Sequence, residues 1–550
     1  MSSPSPYARL QSVARQISPL TTLREAVSSS HVSATPRSEV APTVRSIHED
    51  DDSSPDPIDG MELRVKNPLL KKKYCAIAPS AHVVFIGFGS VGQGTLPLLF
   101  RHFQVHPSQV FIVTKDKRGA DVAKRFGVQM RIAGLTAENY EGILTPLLTP
   151  DSFVVNVSVE VSTVALMQLC IRLNCFYLDT CTEPWGGTYD NPKLSASERS
   201  NYALRLEALS LAPLLEGKRP SIMTHGANPG LVSHLTKQAL LNVAKDTGFP
   251  LVRVPQSKQE WACLARDLGI KVIHIAERDT QVAFAHAAKK PHEFVNTWSC
   301  DGFISEGCYQ VSELGWGTHE KHFPTDGMRH QLPLAKGQDP PAICLSTQGG
   351  ITKCRSWTPH YGPYVGFIVT HAESISIADF LTVKVGDTTV YRPTVNYAYH
   401  PCDYAVMSVH EMQGRGWIEQ KEKRVLGPQD IRTGIDELGV LLMGHKRGAY
   451  WYGSQLSIEE AKRLAPYQNA TGLQVTAPII AAMIWAYENP SAGLVEPDDM
   501  DFSRILSICS PYLGKVTGCY TDWTPLKTRG KLCTDPADFE DPWQFQNFRI

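Results

Sequence analysis

The first ordered pattern along the chain is an uninterrupted apolar run, Val83-Val84-Phe85-Ile86, with the length and β-branched content of a strand buried on both faces. Gly87-Phe88-Gly89-Ser90-Val91-Gly92 follows at once, and then a helical period through Thr95, Leu96, Leu98, Leu99 and Phe103. A second strand, Val110-Phe111-Ile112-Val113, ends close to Asp116. The alternation continues with Ile132 in a strand, 138–144 in a helix, 153–157 in a strand, 164–173 in a helix and 176–179 in a strand. Strands separated by helical crossovers predict a parallel sheet wound right-handedly. Residues 221–225 read as the next strand, leading through Gly226-Ala227-Asn228-Pro229-Gly230 into a helix over 231–243.

Beyond about residue 240 the texture changes. Aromatic, β-rich segments such as 367–370, 381–385 and 448–452 dominate, and few long helical periods precede 457–464. The run 369–373 reads as a strand that places His371 and Glu373 on one face. A mixed α+β domain dominated by a sheet is expected there, followed by a strongly apolar helix over 475–487.

Composition narrows the classes. The 550 residues predict several folding units, and 42% hydrophobic against 20% charged residues exclude wholesale disorder. Residues 1 to about 60 differ, being rich in Ser and Pro and ending near the acidic run Glu49-Asp50-Asp51-Asp52. Five arginines against two glutamates before that run resemble an organellar transit peptide, but Pro4, Pro6 and Pro19 interrupt any helix, so a cytosolic tail is the preferred reading. With 54 Lys+Arg against 55 Asp+Glu, the net charge of -1 argues against a nucleic-acid partner. No uninterrupted apolar stretch approaches the roughly 20 residues that cross a bilayer. Thirteen scattered cysteines without a CxxC pair fit reduced thiols better than disulfides or a metal site. Asn469-Ala470-Thr471 matches a glycosylation triplet that arises readily by chance.

The glycine loop carries the first chemistry. It follows a strand and opens a helix within a βαβ unit: Gly87 permits the turn, Gly89 lets backbone approach a pyrophosphate, and Gly92 allows close helix packing. Ser90 and Val91 open the helix whose free N–H groups face that anion. Asp116, 24 residues after Gly92, suits a ribose diol and favours NAD, whereas Lys115, Lys117 and Arg118 beside it suit a phosphate. Three more loops start at carboxyl ends of predicted strands, where such sheets bind ligands. They carry Asn156, Ser158 and Glu160; Thr182 and Glu183; and Asn228 with Pro229, a pair that also suits a helix start. In the second domain acids recur beside an indole: Glu277, Trp298, Glu306, Glu373 and Asp436, with His371 among them. Carboxylates neutralising ammonium groups, with cation–π attraction from Trp298, suit a cationic amine.

These blocks resemble the NAD-dependent homospermidine synthases of the saccharopine-dehydrogenase-like group. The resemblance runs from about residue 80 to the end and is carried by 226–234, by Ala276-Glu277-Arg278-Asp279-Thr280-Gln281 and by 298–320 with its Glu313-Leu314-Gly315-Trp316-Gly317-Thr318-His319-Glu320 ending. It implies an α/β protein: a Rossmann-type doubly wound parallel sheet plus a sheet-rich α+β substrate domain. The expected boundaries are a disordered tail at 1–62, an NAD-binding domain at 63–240, a substrate and dimerisation domain at 241–470, and a segment at 471–550 that packs back on the cofactor domain.

The implied reaction joins two putrescines into sym-homospermidine with loss of ammonia, or uses spermidine as donor with loss of 1,3-diaminopropane. It passes through an imine and a Schiff base, with NAD recycled. By motif, Trp298, Glu306, His371, Asn228 and Glu277 match catalytic positions, and Glu160, Glu183, Glu373 and Asp436 match amine-binding ones. Glu160 stands where the family commonly has Asp. His371, with an ordinary pKa near neutrality, is the expected base. Gly87, Gly89, Ser90, Val91, Gly92, Asp116, Asn156, Ser158, Thr182, Asn228 and Pro229 are the expected cofactor contacts. A homodimer without membrane or nucleic-acid partners completes the expectation. The alternatives are a saccharopine-type oxidoreductase of amino acids, whose carboxylate substrates favour Arg clamps, and a non-catalytic NAD sensor.

Overall fold

The computed structural model describes residues 67–335, 339–527, 529–530 and 532–550, so the expected N-terminal tail and its charge runs lie outside the described residues. A seven-stranded, wholly parallel sheet carries the glycine loop. Its strands are β1 (Val83–Ile86), β2 (Val110–Thr114), β3 (Gln129–Ile132), β4 (Phe153–Asn156), β5 (Phe176–Asp179) and β6 (Ser221–Ile222), with helix α1 (Ser90–His102) after β1 and α2 (Thr163–Leu173) after β4. They lie in the order β3-β2-β1-β4-β5-β6, closed by the distant strand Leu494–Val495. All four residues of β1, of β4 and of β5 are buried, which is why those runs stay apolar up to Asn156 and Asp179 at the ends of β4 and β5 instead of alternating. The order reverses between β1 and β4, so a crevice opens at their carboxyl ends.

Strand β6 stops at Ile222 instead of running to 225. Thr224 adopts φ 56° and donates its N–H to Asp179 Oδ1 at 2.6 Å, and the chain turns into α3 (Leu231–Asp246).

The second sheet has ten strands. Its centre is β7 (Val272–Asp279), flanked on one side by the parallel strand β8 (Thr394–His400) and on the other by the antiparallel β9 (Ile435–His445), which continues into β10 (Gly448–Ser457). Register pairs Glu277 with Tyr399 and Asp279 with Asp436, so these side chains share one face with Tyr397. Beneath β7 the indole of Trp451 lies on the opposite face. Gly439 and Gly453 leave room for it, since a Cβ on Gly439 would stand 2.5 Å from the indole ring.

This half holds more helix than its texture predicts: Lys258–Asp267, Ala372–Phe380 and Asp403–Gly414 intervene. The segment read as a strand carrying His371 and Glu373 is a helix start, with His371 at the N-cap and Glu373 in the first turn. Residues 372–378 are buried on every side, so Ser374-Ile375-Ser376-Ile377 alternates like a strand and shows no helical stripe.

The C-terminal segment serves both sheets. Helix α4 (Ala470–Glu488) packs against α1, β5, β9 and β10, Leu494–Val495 extends the parallel sheet, and Lys515–Thr521 pairs with β10. Helix α4 is long and apolar enough to cross a membrane, but most of it is buried among the protein's own elements. The glycosylation triplet is its cap: Asn469 is buried, accepts from Gly472 N–H and donates to the carbonyls of Thr297 and Leu426. All thirteen cysteines are free.

Gly453→Ala is expected to destabilise the fold by about 1–3 kcal/mol, because a Cβ there collides with the Leu438 carbonyl and with Gly439. Thermal unfolding followed by circular dichroism measures it, and an unchanged midpoint would show that the sheet yields there.

Candidate active site

The crevice at the switch point has two compartments. The outer one is lined by Gly87 to Val91, Lys115, Asp116, Arg118, Ser158 and Glu160 from the parallel sheet, and by Ser299, Cys300, Asp301, Lys423 and Val425 from across the gap. Gly87 adopts φ 83°, and a Cβ on it would stand 2.9 Å from the backbone of Val157 and Ser158, so only glycine joins the loops after β1 and β4. A Cβ on Gly89 would meet nothing within 4 Å, which leaves open space beside the N-terminus of α1 for an anion. Gly92 lies under the loop against Phe88. Asn156 is buried beneath it and accepts from Ser158 Oγ at 2.6 Å, which sets the hydroxyl at the crevice wall. Asp116 stands at the end of β2 as expected, but Arg118 folds back onto it with bonds of 2.8–3.0 Å, and that guanidinium holds the carboxyl below its ordinary pKa. Thr182 is buried outside both compartments.

The inner compartment joins the two sheets. Val91, Ser158, Thr180, Cys181, Asn228 and Pro229 line it from the nucleotide side, and Glu277, Trp298, Glu306, His371, Tyr397 and Thr471 from the other. No Lys or Arg is among its lining residues.

Glu277 Oε2 accepts from both Asn228 Nδ2 and Tyr397 Oη, each at 2.7 Å. Burial pushes this carboxyl up to about 7, against those two bonds. Trp298 is fixed by donation from Nε1 to Tyr399 Oη at 2.8 Å. Glu306 lies in a π-helical turn, Ser305–Tyr309, whose widened backbone aims it at His371.

His371 stands between two carboxylates. Its Nε2 is 3.0 Å from Glu306 Oε2, and its Nδ1 is 3.0 Å from Glu373 Oε2. Burial alone would lower the imidazole's pKa, but the charges of Glu373 and Glu306 raise it well above the ordinary value. With both ring nitrogens facing carboxylate oxygens, the geometry favours the doubly protonated ring.

Several expected residues stand behind the wall. Glu373 is fully buried and bonded to His371 Nδ1. Asp436 accepts from the lining residue Thr471 at 2.5 Å, and burial, with Glu277 and Asp279 nearby, raises its pKa well above the ordinary carboxyl value. Glu183 accepts the Glu160 backbone N–H at 3.1 Å, and burial pushes it up to about 8. Glu160 adopts φ 61° and lines the outer compartment. Tyr397, Tyr399 and Thr471 went unrecognised from sequence. The Tyr-x-Tyr spacing in β8 was the available signal, since it puts both phenols on one face.

A parallel nucleotide sheet and an acid-rich mixed one, meeting over a two-chambered crevice, define a dinucleotide-dependent enzyme. Residues 83–223 match the saccharopine dehydrogenase NADP binding domain and 226–520 the saccharopine dehydrogenase C-terminal domain. The chain belongs to the saccharopine dehydrogenase family and, within it, to the homospermidine synthases. It is 50% identical over 473 residues to the homospermidine synthase of Blastochloris viridis, covering 85% of this chain and 97% of the relative. It is 48% identical to that of Mesorhizobium japonicum, covering 85% and 96%. The crystal structure of the Legionella pneumophila homospermidine synthase in complex with NAD superposes with a TM-score of 0.79 at 46% identity, covering 87% of this chain and 99% of that one.

Glu306→Gln should lower the His371 pKa by removing one of the two charges that hold its proton. NMR titration of labelled histidine tests this, and an unchanged His371 shift would place the stabilising charge elsewhere.

Proposed function

We propose that this chain synthesises sym-homospermidine by NAD-dependent aminobutyl transfer, from two putrescines with release of ammonia, or from spermidine and putrescine with release of 1,3-diaminopropane. The observation that carries this reading is the inner compartment: Glu277, Glu306 and Trp298 line it, and no Lys or Arg does. A carboxylate substrate of the saccharopine type would meet Glu277 and Glu306 with only His371, itself already held by two carboxylates, to offset them, whereas a diamine brings the missing positive charge. An acid-lined chamber opening onto the cofactor crevice also argues against a mere NAD sensor.

The outer compartment fits NAD: the glycine loop leaves room for the pyrophosphate, and Asp116, with Arg118 folded onto it, is the proposed partner of the ribose diol. When bound, NAD supplies a two-electron acceptor whose electrons return to the substrate before product leaves.

The chain's own residues manage position and protons. Two diammonium putrescines carry the same total charge as homospermidine and ammonium fully protonated, so every proton removed must be given back. Glu277, titrating near 7, accepts a proton from an ammonium and returns it within the pH range of the cell. Glu183, near 8, is a second such group behind the wall. His371 is charged and serves as a donor to a leaving or attacking nitrogen, with Glu306 sharing its proton across 3.0 Å. Trp298 presents an indole face to the cationic chain, worth about 0.5–2 kcal/mol. Trp298, Glu306, His371, Asn228 and Glu277 are the proposed catalytic group. Glu160, Glu183, Glu373 and Asp436 set the charge that holds the amines. A cytoplasmic homodimer is part of the same proposal.

Purified protein incubated with NAD and putrescine should form homospermidine, detected by mass spectrometry, without net NADH. Absence of product with cofactor bound would refute the synthase reading, and NADH accumulating with putrescine loss would indicate an ordinary dehydrogenase. Trp298→Ala should lower turnover at least tenfold more than Trp298→Phe, and equal losses would remove the cation–π role.

A further inference from the structure

We propose that Tyr397 is a positioning residue for the reaction: its phenol holds Glu277 by one oxygen, leaving the other for the substrate amine, while its ring supports the neighbouring His371. The inference rests on the proton-accepting role of Glu277 given above.

Three contacts carry it. Tyr397 Oη and Asn228 Nδ2 both donate to Glu277 Oε2 at 2.7 Å, and no donor among the described residues engages Oε1. The Tyr397 ring lies 4.5 Å from the His371 ring, centroid to centroid, and is tilted by 47°. An aromatic face at that distance attracts an imidazolium. On its far side Tyr397 stacks on Tyr399 at 4.9 Å and 12°, and Tyr399 in turn accepts from the Trp298 indole at 2.8 Å. One side chain thus touches the proton acceptor and the charged donor, and is one ring removed from the cation-binding indole.

Placement follows from the strand. Tyr397 and Tyr399 alternate onto the face of the sheet that bears Glu277; the parallel register sets Tyr399 opposite Glu277 and Tyr397 opposite Ile275, one same-face step away, from where its phenol reaches the carboxylate. The other ionisable groups around Glu277 are Asp279 on its own strand, Asp436 on β9, His371 at the start of the helix above, and the buried phenols of Tyr399 and Tyr364. Asp279 and Asp436 make a second negative charge less favourable, and His371 favours it. Burial raises the Tyr397 phenol well above its ordinary value, so it stays a neutral donor throughout the working range. A donor that bonds to the ionised carboxylate lowers the carboxyl's pKa, so its loss must raise it.

The test is Tyr397→Phe, which keeps the ring and removes the bond. NAD affinity by calorimetry and the thermal midpoint should stay at wild-type values. The kcat for homospermidine formation should fall about tenfold, and the acidic limb of kcat/KM should move up by about one pH unit. If the variant is unstable, 3,5-difluorotyrosine at 397 strengthens donation and should move the limb the other way. An unmoved limb with wild-type kcat overturns the proposal. Glu277→Gln separates the two levels: an inactive Glu277→Gln beside an unaffected Tyr397→Phe defeats the Tyr397 inference alone, and an active Glu277→Gln defeats the reading of Glu277 beneath it.

Discussion

An amine site must keep carboxylates dry without giving them fixed cations, because a built-in Lys or Arg would occupy the place of the substrate. Glu277, Asp279 and Asp436 share one buried face of the second sheet under this constraint. Dehydrating an unpaired acid costs several kcal/mol. The protein meets that cost with neutral donors: Tyr397 and Asn228 on Glu277, Thr297 and Gln281 on Asp279, and Thr471 on Asp436. The cation in the same sequence block, Arg278, is turned by strand alternation to the opposite face, where it stacks on Tyr361 at 4.6 Å. Raised carboxyl pKa values follow from the same dehydration, so binding and proton transfer have one origin.

His371 is the exception that the arrangement requires. Held between Glu306 and Glu373 at 3.0 Å from each, its ring is the one basic side chain among the residues lining the inner compartment, and under the proposed reaction it is the group that hands a proton to a nitrogen. This depends on Glu373 being set behind the ring by the first turn of a helix. A strand would have carried both side chains into the chamber together.

The two sheets must stay in register for the chambers to meet, and the C-terminal segment is what ties them. It contributes a helix between them, a strand to each, and a final stretch bolted down by the block at 313–320. In that block Glu313 accepts the first N–H groups of helix Asn201–Leu209 and the hydroxyl of Thr370, next to His371. Glu320 accepts from Thr394 and from the Phe545 N–H. Trp316 packs edge-on against Phe545. The 313–320 ending of the 298–320 block is thus structural support for the site and not its lining.

By itself the sequence determined the nucleotide half, because a strand buried on both faces and a glycine loop are local patterns with one physical reading. It also made legible the inventory of acids, the indole and the histidine, since amine chemistry requires those residue types. Tertiary structure decided the rest. Which acids line the chamber and which stand behind it, the seat of His371 between two carboxylates, and the contacts of Tyr397 all depend on strand register and burial across hundreds of residues. The helix at Ala372–Phe380 was illegible for a related reason: a helix enclosed on all sides has no polar stripe, and its identity is set by its neighbours. Desolvation and long-range pairing are properties of the assembled core, and no window of sequence contains them.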